Sequence, residues 1–191
     1  MDIDKIENII GRRPSSHTLM FELFYPAVLG TIFYNLLPFI WDFQDRLGLS
    51  EPYVICKLLI GILILCHFAV DFLLARSIQS YNCVAFLIDG VVLFLLFKVF
   101  DSLNIPNVGV QISVRESYIC YCAIFICYLF WTILERQEHT HLSRLVSFEM
   151  LAIFWFAFLS WWVPSPWVFA CSILITTILL YCTVNWARKQ P

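Results

Sequence analysis

Six long apolar runs, at roughly 19–41, 53–76, 81–100, 117–135, 145–163 and 166–186, leave this chain few ways to fold. A helix that crosses a bilayer needs about 20 largely apolar residues, because the hydrocarbon layer is ~30 Å thick and each helical residue rises ~1.5 Å. Hydrocarbon offers no partner to a backbone amide, so each such segment must satisfy its own hydrogen bonds as a helix. The expected fold is an all-α integral membrane protein, a compact bundle of about six transmembrane helices with short loops. Composition agrees: 61% of the 191 residues are hydrophobic and 14% are charged, where a soluble domain carries roughly a quarter charged residues.

Breaker residues mark the joints between the runs. "DFQDRLGLSEP" follows the first, "LNIPNVG" the third, "ERQEHTHLSR" the fourth, and "VPSP" divides the last two. The closing pair could instead form a tight re-entrant hairpin around Pro164 and Pro166. The chain therefore divides into an N-terminal amphipathic segment at 1–18, the bundle at 19–186 and a short tail at 187–191. No cleavable signal pattern precedes the first run.

Positive charge sets the expected orientation. With the N-terminus in the cytoplasm, Lys5, Arg12, Arg13, Arg76, Arg136, Arg144, Arg188 and Lys189 fall inside, against Arg46, Lys57, Lys98 and Arg115 outside. Both termini are then cytoplasmic. Trp41, Trp161, Trp162 and Trp167 gather at the outer interface and Trp186 marks the inner one, as amphipathic rings do at headgroup level. A bacterial plasma (inner) membrane suits this compact, clearly biased chain.

Charge and cysteine content exclude several function classes. Twelve basic and 14 acidic residues leave no basic stripe to neutralise phosphates, so nucleic acid is not an expected partner. The eight cysteines lie in or at the ends of apolar runs without a C-x-x-C pair, and read as small packing residues. No cofactor or metal is expected. His139-x-His141 beside Glu135 and Glu138 reads as a polar loop before it reads as a metal site.

Chemistry-bearing residues concentrate in the inner half of the spans. His67 and Asp71 stand one turn apart on the second, sharing a face, with Asp71 roughly 7 Å and His67 roughly 13 Å above the inner edge. Asp89 enters the third span about 13 Å deep and Glu149 the fifth about 7 Å deep. Glu22, Thr132, Glu135, Thr183 and Asn185 add polar groups at the same ends, whereas the outer half offers chiefly Asn35, with Lys57 and Lys98 near enough to the edge to snorkel. A lone charge facing lipid costs at least a few kcal/mol. Glu22, His67, Asp71, Asp89, Glu135 and Glu149 are therefore expected to line a cavity open to the cytoplasm, with Arg76, Arg136 and Arg144 at its rim.

Smaller patterns add further expectations. Cys66 to Asp89 and Cys127 to Glu149 are similar separations, which hints at a duplicated helix pair. Ser172, Thr176 and Thr183 share a face suited to bonds between helices. Gly90 reads as a close helix contact. Ile3, Ile6, Ile9 and Ile10 recur at helical spacing among acidic residues, so Ile3, Ile6 and Ile10 present a stripe for a protein contact more readily than for an anionic leaflet.

These features lead to three functional expectations. The first is a polytopic, homo-oligomeric, membrane-embedded subunit, an anchor, sensor or effector, serving a larger assembly with a cytoplasmic protein partner. Membrane lipid is its other partner. The alternative is a cation or proton channel or transporter that uses the inner carboxylates. A lipid-modifying enzyme, with His67 as base and Asp71 as its orienter, is the third. Without a nucleophile motif, phosphate loop or H-E-x-x-H sequence, the chain is read as non-enzymatic.

Overall fold

The computed structural model describes residues 19–41, 52–76, 83–103, 114–135, 143–162 and 165–188. All of them are helical apart from short caps. In chain order the helices are α1 (Tyr25–Trp41), α2 (Pro52–Arg76), α3 (Cys83–Ser102), α4 (Val114–Glu135), α5 (Ser143–Trp162) and α6 (Pro166–Arg188). Each of the six is long and apolar enough to cross a membrane, the first span beginning at Met20, in the turn before α1. The chain is a multi-pass, all-helical protein of the integral membrane type.

Local chemistry explains several boundaries. Pro52 and Pro166 open α2 and α6, where a missing N–H costs nothing and the fixed φ already suits a helix. Ser165 caps α6, its carbonyl accepting the Phe169 N–H at 3.0 Å. A wide π turn, Met20–Phe24, precedes α1 and closes with the Tyr25 N–H on the Met20 carbonyl. Pro26 accounts for it: the ring has no N–H and crowds the carbonyl four residues back, so an ordinary α turn cannot run through. The extra residue in that turn sets the direction in which Tyr25 projects.

Packing follows the faces. Antiparallel α4 and α5 share the most extensive contact, α4 also packs on α3, and α2 lies against α6. By contrast α2 and α3 touch only lightly. The expected duplication therefore does not appear as equivalent packing, since the helix pair carrying Cys66 and Asp89 barely touches and the pair carrying Cys127 and Glu149 is the tightest. Large apolar residues such as Leu87, Phe94, Leu151 and Phe154 point outward, the distribution expected when the solvent is lipid.

At the core, Tyr118, Tyr121, Phe125, Phe156 and Phe169 form a continuous aromatic cluster. Each ring pair adds about 0.5–1.5 kcal/mol beyond its area. The last two helices run their full lengths from either side of residue 165, so no short re-entrant hairpin forms. Trp161, Trp162 and Trp167 are exposed at this turn, and Arg115 lies 5.3 Å over the Trp161 ring.

Two readings of small residues change. All eight cysteines are free thiols, and only Cys56 is buried; Cys66, Cys83, Cys171 and Cys182 are exposed on the apolar surface. Gly90 is not a close helix contact, because a Cβ there would meet nothing within 4 Å.

Candidate functional site

The end of the bundle where α1 starts and α2 finishes is called the near end below, and the opposite one the far end. Five side chains from four helices meet within the near half. Tyr25 of α1 donates its hydroxyl proton to Asp71 Oδ2 at 2.6 Å. The Tyr128 hydroxyl of α4 interacts with Asp71 and lies 3.2 Å from His67 Nε2. His67 Nδ1 is 2.8 Å from Thr177 Oγ1 of α6. His67 and Asp71 are thus connected through Tyr128.

The partners fix the direction of these bonds. With Asp71 ionised, its carboxylate only accepts, so a tyrosine hydroxyl that bonds it must donate. The Tyr128 oxygen then accepts from His67 Nε2–H, which leaves Nδ1 to accept from the Thr177 hydroxyl. Every donor in the chain from Thr177 through His67 and Tyr128 to Asp71 points the same way.

Aromatic rings enclose this chain. Tyr128 stacks on His67 at 6.2 Å, and Tyr121 and Phe125 stand edge-on to it at 5.4 and 6.3 Å. Phe21, Phe68 and Phe72 surround Tyr25 at 5.2–5.3 Å. In consequence His67 is 0% exposed and Asp71 5% exposed. Hydrogen bonds within so apolar a wall are electrostatically stronger than in water, and an unpaired group is correspondingly costly.

A second polar pair lies one turn along α4. Thr132 donates to Glu149 Oε1 at 2.8 Å, and Glu149 is 1% exposed. Among the described residues, its other oxygen, Oε2, is buried without a hydrogen-bond partner, and so is the hydroxyl of Tyr121. Tyr121, Tyr128 and Thr132 are spaced by seven and four residues, which puts all three on one face of α4.

The structure brings together only part of the predicted set. His67, Asp71 and Glu149 are buried at the expected level, and half-buried Asp89 lies within electrostatic range of Tyr25 and Tyr128. Glu22 departs from the reading: it is exposed within the π turn that precedes α1. The side chains of Arg76, Glu135 and Arg144, all of Arg136, the His139 and His141 pair, and Ile3, Ile6 and Ile10 lie outside the described residues.

Among the described residues, His67, Asp71 and Glu149 are each at most 5% exposed and face rings and hydroxyls of neighbouring helices. Both nitrogens of His67 are engaged by hydroxyls from other helices. Among the described residues, no group of three His, Cys, Asp or Glu side chains could hold a metal ion.

The far half holds more polar groups than its sequence suggested. Lys57 is 1% exposed rather than snorkelling, whereas Lys98 is exposed and pairs with Asp101 at 3.7 Å. Ser102 donates to the Val99 carbonyl at 2.6 Å and its hydroxyl lies 2.7 Å from that of Ser117. Tyr118 donates to the Ser165 carbonyl at 3.3 Å. On α6, Ser172 accepts from Trp155 Nε1 at 3.1 Å, but Thr176 and Thr183 bond back to their own helix. A second link to another helix comes from Thr177, which contacts His67 of α2.

Compared with known proteins, the chain matches no protein-family model, no curated protein and no solved structure. The site must be interpreted from its own geometry.

Proposed function

We propose that this protein moves protons across a membrane through its polar core, as a proton channel or a proton-coupled transporter. The observation that carries this reading is the enclosed, uniformly directed chain from Thr177 through His67 and Tyr128 to Asp71. Intramembrane ionisable residues that face the bundle interior are functional candidates by default, and chains of Asp, Glu and His serve as proton relays. Tyr128 and His67 each accept on one side and donate on the other, which a relay requires.

The same geometry favours a proton over a metal cation. A bare or hydrated ion needs several oxygen ligands around an open volume. Here Asp71 and Glu149 are each enclosed to within a few per cent of complete burial. A proton needs only the hydrogen bonds. On the positive-inside reading, the near end with its carboxylates faces the cytoplasm.

The test is the purified protein in liposomes carrying an entrapped pH dye under a potassium diffusion potential. Protein-dependent proton flux that is lost in Asp71→Asn, with no accompanying sodium flux, supports the proposal. Wild-type vesicles no leakier to protons than empty ones refute it.

A further inference from the structure

A half-open cleft of about 190 Å³ lies between α3 and α4 at the far end of the bundle, lined by Lys98, Ser102, Glu116, Ile119 and Cys120. Its wall is mostly carbon, while Lys98 and Glu116 are exposed and carry charge to its mouth. Both charges lie within electrostatic range of the Cys120 thiol, so they belong to one place. The volume suffices for several waters or a small polar headgroup.

Depth puts this cleft at headgroup level. Lys98 is four residues from the end of α3 and Glu116 two from the start of α4, about 6 and 3 Å along their axes. Trp161, Trp162 and Trp167 are exposed at the same end, and exposed tryptophans mark a membrane–water interface. A Lys so placed lays its methylene stem on apolar surface and holds its ammonium at the interface.

From the cleft toward the near end the surface becomes apolar in two stripes. Leu87, Val91 and Phe94 share the Lys98 face of α3, and Ile126, Phe130 and Ile133 share the Ile119 face of α4. All of these apolar side chains, Ile119 included, are 48–65% exposed. Because the cleft touches Lys98 on one stripe and Ile119 on the other, both stripes lie on the same side of the seam between the helices. They extend for about 16 and 21 Å, a track suited to acyl chains.

Charge selects the headgroup. Lys98 pairs with Asp101 at 3.7 Å, and Glu116 has no ion pair among the described residues. Arg115 lies over Trp161 and does not line the cleft. Lys98, Asp101 and Glu116 therefore sum to −1, which disfavours an anionic headgroup and leaves a carboxylate for a cation. A primary ammonium donates three hydrogen bonds to carboxylate oxygens. A trimethylammonium donates none and is held by aromatic faces, which the described lining of the cleft lacks. A phosphate beside the ammonium finds its counter-charge in Lys98.

We infer that this cleft binds a phospholipid with a zwitterionic phosphoethanolamine headgroup, its ammonium on Glu116, its phosphate on Lys98 and its acyl chains along the stripes of α3 and α4. The site lies at the opposite end from the His67 and Asp71 chain and is independent of the proton reading.

The test is native mass spectrometry of the detergent-purified protein with dioleoyl phosphatidylethanolamine, phosphatidylcholine or phosphatidylglycerol added at one concentration. Wild type is expected to hold the ethanolamine lipid about tenfold more tightly than the other two, the scale of one hydrogen bond to a charged group. Glu116→Gln erases the preference over phosphatidylcholine. Lys98→Gln weakens all three lipids by about the same factor, since each carries the phosphate. Both side chains are exposed, so the variants melt with wild type. Glu116→Lys changes the local sum from −1 to +1 and moves the preference to phosphatidylglycerol, a gain that loss of folding cannot imitate. Equal retention of the three lipids by wild type, or an ethanolamine preference that survives Glu116→Gln, overturns the inference. So does displacement of the bound lipid by an equal concentration of soluble phosphoethanolamine, because the cleft would then hold a free phosphate ester and not a lipid.

Discussion

His67 and Asp71, one turn apart on α2, both face Tyr128 of α4, whose hydroxyl lies 3.2 Å from His67 Nε2 and interacts with Asp71. One hydroxyl from a different helix makes an ionisable pair on a single helix into part of an assembly of α1, α2, α4 and α6. Asp71 is its acceptor terminus, holding the hydroxyls of Tyr25 and Tyr128. Replacing it by Leu leaves two buried donors unpaired, at about 1–3 kcal/mol each. Asp71→Leu is therefore expected to lower the melting temperature in detergent markedly, and adding Tyr25→Phe and Tyr128→Phe to recover most of the loss. Three independent, additive losses would contradict the network.

The contact between α5 and α6 carries a smaller, separable term. Trp155 donates to Ser172, which passes its own proton to the Val168 carbonyl. Bonds between helices within a membrane average about 0.6 kcal/mol and reach about 1.7. Trp155→Phe keeps most of the ring and loses the bond, so its melting temperature should fall modestly while proton flux stays at the wild-type rate.

Gly90 tests the packing of α3 with opposite sign. A methyl group added there meets open space, and Ala is favoured over Gly inside a helix by about 0.5–1 kcal/mol. Gly90→Ala is expected to melt at or slightly above the wild-type temperature. A clear loss would mean that another chain or helix lies against that face.

The architecture was legible because hydrophobic length is a strong signal. The fourth apolar run was read as 117–135 and the helix is Val114–Glu135; the fifth was read as 145–163 and the helix is Ser143–Trp162. Burial of His67, Asp71 and Glu149 followed from the cost of a charge in lipid. Which groups would meet did not follow, because that depends on helix rotation and pairing, and no single-helix periodicity contains it. Tyr25, Tyr121 and Tyr128 passed as three more aromatics in a chain with 8 Tyr and 18 Phe. The usable hint was the Tyr121, Tyr128 and Thr132 spacing, which sets three hydroxyls on one face. Glu22 misled because its depth was right and its direction was not: the turn forced by Pro26 sends Tyr25 inward and leaves Glu22 outside.

Tyr128 is the residue on which the proton account depends most directly, since among the described residues it interacts with both His67 and Asp71. The decisive measurement is proton flux through liposomes of wild type and Tyr128→Phe, matched for protein content and each shown to be folded by its melting curve. The account predicts a loss of roughly a hundredfold from deleting that single oxygen. Equal flux in the two proteins would contradict it and leave the buried chain as a structural element alone.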